Sequence, residues 1–340
     1  MSRGTVLITG LTGFIATHTA LAFLNAGYSV KGTTRTAAKA EQWISRFPDH
    51  KPRFQYAVVP DMSIPGAFDE AVKGCDYIAH LASPAHWDQT DNEADLLIPA
   101  IEGTKNLLSA TKNEPKIKRV VFTSSLAAII EPTTLEPGKA IVETEWNPIT
   151  YEEAKSHTNP PVVYRASKAL AERAFWDFIQ TEKPTWSGTS ICPCATFGPP
   201  LQVTSLSALN FSNKFLWDIA NGQYKLGVPK VGSPVFVDVR EVALAHVRAV
   251  ELDVAQGQRY LLIGGPYIPD QVVQIIHKEF PELRNNLPPV DSSRTDHLNV
   301  RFDSSKATKQ LGIQYTALET MVTETITAIL GVLRNNAETE

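Results

Sequence analysis

A short apolar run, Thr5-Val6-Leu7-Ile8-Thr9, passes directly into Gly10-Leu11-Thr12-Gly13-Phe14-Ile15-Ala16, and this junction constrains the fold more than any other segment. The run is β-branched and unbroken, as in a strand buried on both faces. A helix-like stretch follows, with Ala20, Leu21 and Leu24 on one side and Gly27 as its expected C-terminal stop. Strand, glycine turn and helix in that order form the setting in which a dinucleotide phosphate can be held. Gly10 permits the tight turn and Gly13 lets the backbone approach a pyrophosphate. The free N–H groups of the helix start then face the phosphates. Gly10, Thr12, Gly13, Phe14 and Ile15 are the expected contacts. Ala16 stands where a third glycine is common, and its methyl group is small enough for close helix–strand packing.

Further strand-like runs recur at residues 28–35, 54–59, 76–81, 119–123 and 189–192, with helical stretches between them. Such alternation predicts an α/β fold with a Rossmann-type, doubly wound parallel sheet and right-handed crossovers. Ligands bind such sheets beyond the carboxyl ends of the strands. Those ends carry Gly10, Gly13, Arg35, Asp61, Ala82, Ser125 and Pro193, so one crevice is expected to collect them. After about residue 195 the alternation fades. An irregular stretch runs from Pro199 to Pro234. Helices are expected at 239–251, 269–280 and 317–333, with a strand at 259–263. We therefore expect a nucleotide-binding domain over 1–195. A smaller α/β lobe for substrate should span 196–340, with some segments returning to the sheet.

The second strand ends at Thr34-Arg35 without the acidic residue that would accept from a ribose 2′-hydroxyl. A guanidinium at Arg35, with Lys39 one helical turn on, suits a 2′-phosphate instead. The expected cofactor is NADP(H). Tyr164 and Lys168 are four residues apart and share a face if the segment is helical. An ammonium close to a phenol favours its ionised form, moving it from near ~10 toward the range useful for general acid catalysis.

With 340 residues the chain can bury a large core, and its net charge of −4 without a basic run argues against nucleic acid as a partner. No run reaches the ~18 apolar residues expected of a membrane span, and the first strand begins too early to leave room for a signal peptide. Cys75, Cys192 and Cys194 fit a reducing, cytoplasmic setting. Cys192 and Cys194 lack a second ligand pair, so they are read as small strand-end residues and no metal is expected.

The chain resembles the extended short-chain dehydrogenase/reductase family. Within it, the likeness is to the dihydroflavonol reductase group, and especially to fungal carbonyl, methylglyoxal and isovaleraldehyde reductases. The likeness rests on residues 9–16, on Thr34-Arg35, on His80-Leu81-Ala82-Ser83-Pro84 and on Val121-Phe122-Thr123-Ser124-Ser125. It also rests on residues 164–168 and 236–243. It implies Ser125, Tyr164 and Lys168 as catalytic residues. Asp61 and Met62 would lie beside the adenine, and Leu81, Ala82, Ser83 and Thr123 along the pyrophosphate and ribose. Pro193 and Thr196 would line the nicotinamide. The implied activity is reduction of a ketone or aldehyde by NADPH, with Tyr164 as acid and Ser125 on the carbonyl oxygen. Lys168 would lower the Tyr164 pKa and bind the ribose. The stretch 159–163 departs from the cinnamoyl-CoA reductase signature, which argues against that activity.

His86 and Trp87, together with Ser125 and Tyr164, are candidate substrate contacts. Residues 126–130 and a cover at 201–215 would complete an apolar pocket for a hydrophobic carbonyl. Phe211, Phe215 and Trp217 fit the spacing of a core-facing helix equally well. Other readings stay open on the same fold: an alcohol or steroid-type dehydrogenase, a sugar-nucleotide epimerase, or a non-catalytic NADP(H)-binding regulator. The assembly is expected to be a monomer or homodimer.

Overall fold

The computed structural model describes residues 2–85, 89–134, 138–231, 234–291 and 301–337. The strands, in chain order, begin with β1 (Thr5–Ile8), β2 (Ser29–Thr34), β3 (Phe54–Val58), β4 (Tyr77–His80), β5 (Arg119–Thr123) and β6 (Ala140–Ile141). They continue with β7 (Ser187–Pro193), β8 (Ala195–Phe197), β9 (Val235–Asp238), β10 (Gln258–Leu262), β11 (Gly265–Pro266) and β12 (Arg301–Phe302). Seven of them form one parallel sheet in the order β3-β2-β1-β4-β5-β7-β10. The chain builds outward from β1 in one direction and then from β4 in the other. The strand order therefore reverses between β1 and β4, where a crevice opens at the carboxyl ends.

Central strands are apolar because helices cover both faces. Val6, Leu7, Ile8, Val120 and Val121 are fully buried. On one face, α1 (Phe14–Asn25) packs against a helix of the C-terminal half that starts at Val239, and α2 (Ala37–Arg46) covers β2 and β3. On the other lie α3 (Asp69–Val72), α4 (Ile98–Ala110), the short α5 (Tyr151–Ser156) and the 23-residue α6 (Pro160–Glu182). Pro160 at the first position starts α6, since its missing N–H would have had no helical partner. Gly32 in β2 makes room for Leu11, whose side chain would lie 2.5 Å from an added Cβ.

The C-terminal half contributes α7 (Phe211–Ala220), α8 (Val239–Glu251), α9 (Pro269–Glu279) and α10 (Leu318–Ala337). Asp238 and Glu241 form a capping box that fixes the start of α8. A second sheet, β11-β9-β8, and the helices α7, α9 and α10 enclose their own core around Leu216, Ile219, Phe236 and Ile276. The expected strand at 259–263 is present as β10, and it joins the edge of the main sheet beside β7. The stretch expected to be irregular between Pro199 and Pro234 holds α7, whose buried face is Leu216, Ile219 and Ala220. Among the described residues, no helix is long and apolar enough to cross a membrane.

Candidate active site

The glycine turn is held against the end of β4. Gly10 has φ +68, and a Cβ there would meet the Ala82 backbone at 3.1 Å. A side chain is thus excluded by both conformation and space. One hydroxyl fixes the distance between the two segments. Thr9 Oγ1 accepts from the N–H groups of Leu81 and Ala82, each at 2.9 Å, and lies 2.8 Å from His80 Nδ1. A threonine hydroxyl has two acceptor sites and one proton. With both acceptor sites filled, that proton goes to Nδ1, which assigns the hydrogen of a neutral His80 to Nε2. Burial pushes the His80 pKa down to about 3, with Lys168 adding to the effect.

Thr12 and Gly13 are exposed at the crevice. The first turn of α1 has no side-chain cap and no acidic residue, so its N–H groups and positive end face outward. Phe14 is buried and Ile15 packs on the core, so these two can serve a ligand through their backbone only. At the ends of β2 and β3, Arg35, Lys39 and Asp61 are exposed. Hydrogen bonds from Ser63 hold the Asp61 carboxyl below its usual range, and the nearby Arg35 adds to this. Asn106 Nδ2 donates to the Met62 carbonyl at 3.0 Å, while Gly103 leaves room for the Met62 side chain. A turn that admits no Cβ, an uncapped helix start and an exposed guanidinium fit a dinucleotide phosphate with a further anionic group.

Next along the sheet, Ser125 follows β5. Its Oγ accepts from the Ala127 N–H at 3.1 Å and approaches the Pro193 carbonyl at 3.5 Å. The Tyr164 hydroxyl, from α6, shares a hydrogen bond with the Ser125 side chain. Tyr164 keeps an accessible edge, yet burial of its phenol raises its pKa, and the Ser125 bond opposes that rise. Lys168 is one turn further along α6 and buried, with Nζ donating to the Thr123 carbonyl at 2.9 Å. Burial lowers the Lys168 pKa to about 8, against the pull of Glu172. Behind Thr123, His246 donates from Nδ1 to the Val242 carbonyl at 2.7 Å. Its Nε2 therefore accepts from Thr123 Oγ1, also at 2.7 Å.

Strand ends that are distant in sequence thus meet in pairs along the carboxyl edge of the sheet: Gly10 with Ala82, Arg35 with Asp61, Ser125 with Pro193 and Tyr164. Ser83 is half-buried beside Ala82, and Thr196 is buried with Oγ1 on the Cys194 carbonyl at 3.0 Å. Cys192 and Cys194 are buried free thiols, and burial raises the pKa of both. Leu126, Ile129 and Ile130 belong to the main core rather than to a pocket wall. On α7, Phe215 and Trp217 are partly buried, whereas Phe211 is 66% exposed. The start of the expected cover is fastened to the nucleotide helices. His18 Nε2 donates to the Pro199 carbonyl at 2.8 Å, and Arg46 donates to the Val203 carbonyl at 2.9 Å. His86 and Trp87 lie outside the described residues. Thr9, Glu172, His246 and Arg259 were not singled out from the sequence. Only Glu172 left a signal there, four residues after Lys168.

A family profile described as the NAD dependent epimerase/dehydratase family matches residues 6–264. Ketoreductase azaE of Aspergillus niger is 40% identical over 333 residues, covering 96% of this chain and 97% of that protein. The NADPH-dependent methylglyoxal reductase GRE2 of Saccharomyces cerevisiae is 32% identical over 339 residues, covering 96% and 98%. The crystal structure of Gre2 from Candida albicans in complex with NADPH superposes with a TM-score of 0.88. It is 35% identical, with 97% of this chain and 99% of that chain covered.

Proposed function

We propose, given that this chain belongs to the NAD dependent epimerase/dehydratase family, that it is an NADPH-dependent carbonyl reductase of the ketoreductase and methylglyoxal reductase kind. The observation that carries the reading is the hydrogen bond between Tyr164 and Ser125 in the crevice, with Lys168 one helical turn away on the Thr123 carbonyl. When bound, NADPH supplies the hydride that the carbonyl carbon takes up. Gly10, Thr12 and Gly13 and the start of α1 hold its pyrophosphate. Arg35, with Lys39, binds the 2′-phosphate, and Asp61 and Met62 border the adenine. Leu81, Ala82, Ser83 and Thr123 run along its centre, and Pro193 and Thr196 line the nicotinamide.

Tyr164 holds a proton at Oη and passes it to the carbonyl oxygen as negative charge develops there. Ser125 Oγ donates to the same oxygen and stabilises that charge. The protonated Lys168 would join the Ser125 bond in opposing the burial that raises the phenol, and would bind the ribose hydroxyls. The substrate is a hydrophobic ketone or aldehyde that reaches Ser125 and Tyr164 beside His86 and Trp87. Three free buried cysteines support a reducing, cytoplasmic setting.

The test is consumption of NADPH against a panel of aldehydes, ketoesters, diketones and aryl ketones, with NADH and Tyr164→Phe run alongside. Faster oxidation of NADPH than of NADH is expected. Tyr164→Phe should lose roughly 10²–10⁴-fold in kcat while still binding NADPH. Full turnover in Tyr164→Phe would sink the assignment.

A further inference from the structure

The mechanism above leaves unused the most heavily bonded carboxylate beside the site. Glu172 lies four residues after Lys168 on the same face of α6 and is fully buried, at 0% exposure. Arg259, from β10, grips it with two bonds, Nε to Oε1 at 2.6 Å and Nη2 to Oε2 at 2.8 Å. Ser124 donates to Oε2 at 2.6 Å, and Ser190 and Trp176 donate to Oε1. The remaining guanidinium nitrogen, Nη1, donates to the carbonyls of Glu143 and Glu145 at 2.6 and 2.7 Å, and the group stacks on Trp146 at 3.7 Å. Every donor here stabilises the ionised carboxylate, so the group is built to remain an anion despite complete burial.

The groups that face Lys168 show what that anion can do. From α6 they are Tyr164 and Glu172. His80 faces it from β4 and is neutral. Cys192 faces it from β7 as a neutral thiol, its pKa pushed up to about 12. His246, from α8, reaches it through Thr123 and is also neutral, with a pKa lowered by burial to about 4. Arg259 reaches it through Glu172. Of these groups, Glu172 is the one fixed negative charge, and it is the largest influence favouring the charged form of Lys168.

We propose that Glu172, braced by Arg259, Ser124 and Ser190, is a positioning residue that keeps Lys168 an ammonium in a site dry enough to discharge it. The proposal rests on the reading of Tyr164 and Lys168 given above. A purely structural clamp between α6 and strands β5, β7 and β10 would use the same bonds, but would leave the protonation of Lys168 alone.

The test is the alkaline limb of kcat/KM for NADPH, a quantity that reports groups of the cofactor-free enzyme, followed from about pH 6 to about pH 10. In Glu172→Gln the limb should move down by about one pH unit. Activity above the wild-type limb should then fall about tenfold, with little change well below it. Glu172→Asp, which keeps the charge, should restore the limb. If Glu172→Gln fails to fold because Arg259 is left unpaired, the double variant Glu172→Gln/Arg259→Gln carries no lone buried charge and should move the limb in the same direction by less, because the guanidinium that disfavours the ammonium is removed with the carboxylate that favours it. Folding is checked by circular dichroism and thermal melting. A folded variant of either kind whose limb stays at the wild-type position overturns the proposal. Tyr164→Phe separates the two readings: full turnover there overturns both, whereas lost turnover with an unmoved Glu172→Gln limb overturns the role of Glu172 alone.

Discussion

Thr9 shows how much one hydroxyl can carry. It holds the Leu81 and Ala82 amides beside the glycine turn and sets the tautomer of His80. Thr9→Val keeps the shape and removes all three bonds. The orphaned buried groups should cost about 1–3 kcal/mol, read as a lower urea midpoint, and the loosened turn should raise KM for NADPH severalfold. Thr9→Ser should retain both values. An unchanged KM in Thr9→Val would mean that the turn is held by other contacts. This role was not legible in the sequence, because a threonine ending a strand is common and its partners come from a segment some seventy residues later. Tyr164 and Lys168 were legible because their relation is local, one turn of a single helix. Glu172 was half-legible, since its spacing from Lys168 could be read but its partner Arg259, 87 residues away, could not.

Elements announced themselves where punctuation was strong. Gly10 and Gly13 marked the start of α1 and Pro269 that of α9, whereas the capping box of Asp238 and Glu241 on α8 and the opening role of Pro160 on α6 emerged only in the structure. Helix α7 was legible only as an alternative, in the spacing of Phe211, Phe215 and Trp217, because it is short and lies between proline-rich turns. Its apolar face has meaning only against the core that α9 and α10 supply. Packing between elements makes a sharper demand than punctuation does. On β7, a Cβ at Gly188 would lie 2.4 Å from Ile179 Cδ1 and 2.7 Å from Phe175 Cζ, both on α6. Gly188→Val should therefore push α6 off the sheet at a cost of about 1–3 kcal/mol, measured as a lower melting temperature. Because Tyr164 and Lys168 ride on that helix, kcat should fall as well. A variant with wild-type melting and turnover would show that α6 can yield freely.

At the scale of the whole molecule, the sheet was predictable from strand–helix alternation, and so were a strand at 259–263 and a return of later segments to the sheet, but not the partner at its closing edge. The return of β10 to β7 depends on pairing across the second half of the chain. Two histidines, His80 on the sheet and His246 on the helix packed against it, are buried and must stay neutral, with pKa values lowered to about 3 and about 4. Unfolded histidine titrates near ~6.5. Below that value the unfolded chain binds protons that the folded one refuses, so stability falls as pH drops from there toward the folded values. Each group contributes a slope of up to ~1.4 kcal/mol per pH unit. The urea midpoint should therefore decline already between about pH 6.5 and pH 5. His246→Gln, which cannot charge, should decline less over the same interval; equal losses would place the acid sensitivity elsewhere. The edge strand also has a consequence for how the protein comes into being. Arg259 is translated 87 residues after Glu172. While the chain is still on the ribosome, α6 can emerge carrying its carboxylate before the guanidinium has been synthesised. The nascent nucleotide half then holds an acid with the hydroxyls of Ser124 and Ser190 and the indole of Trp176 for partners but no counter-charge. The edge of its sheet can therefore take its finished form only once β10 has been made.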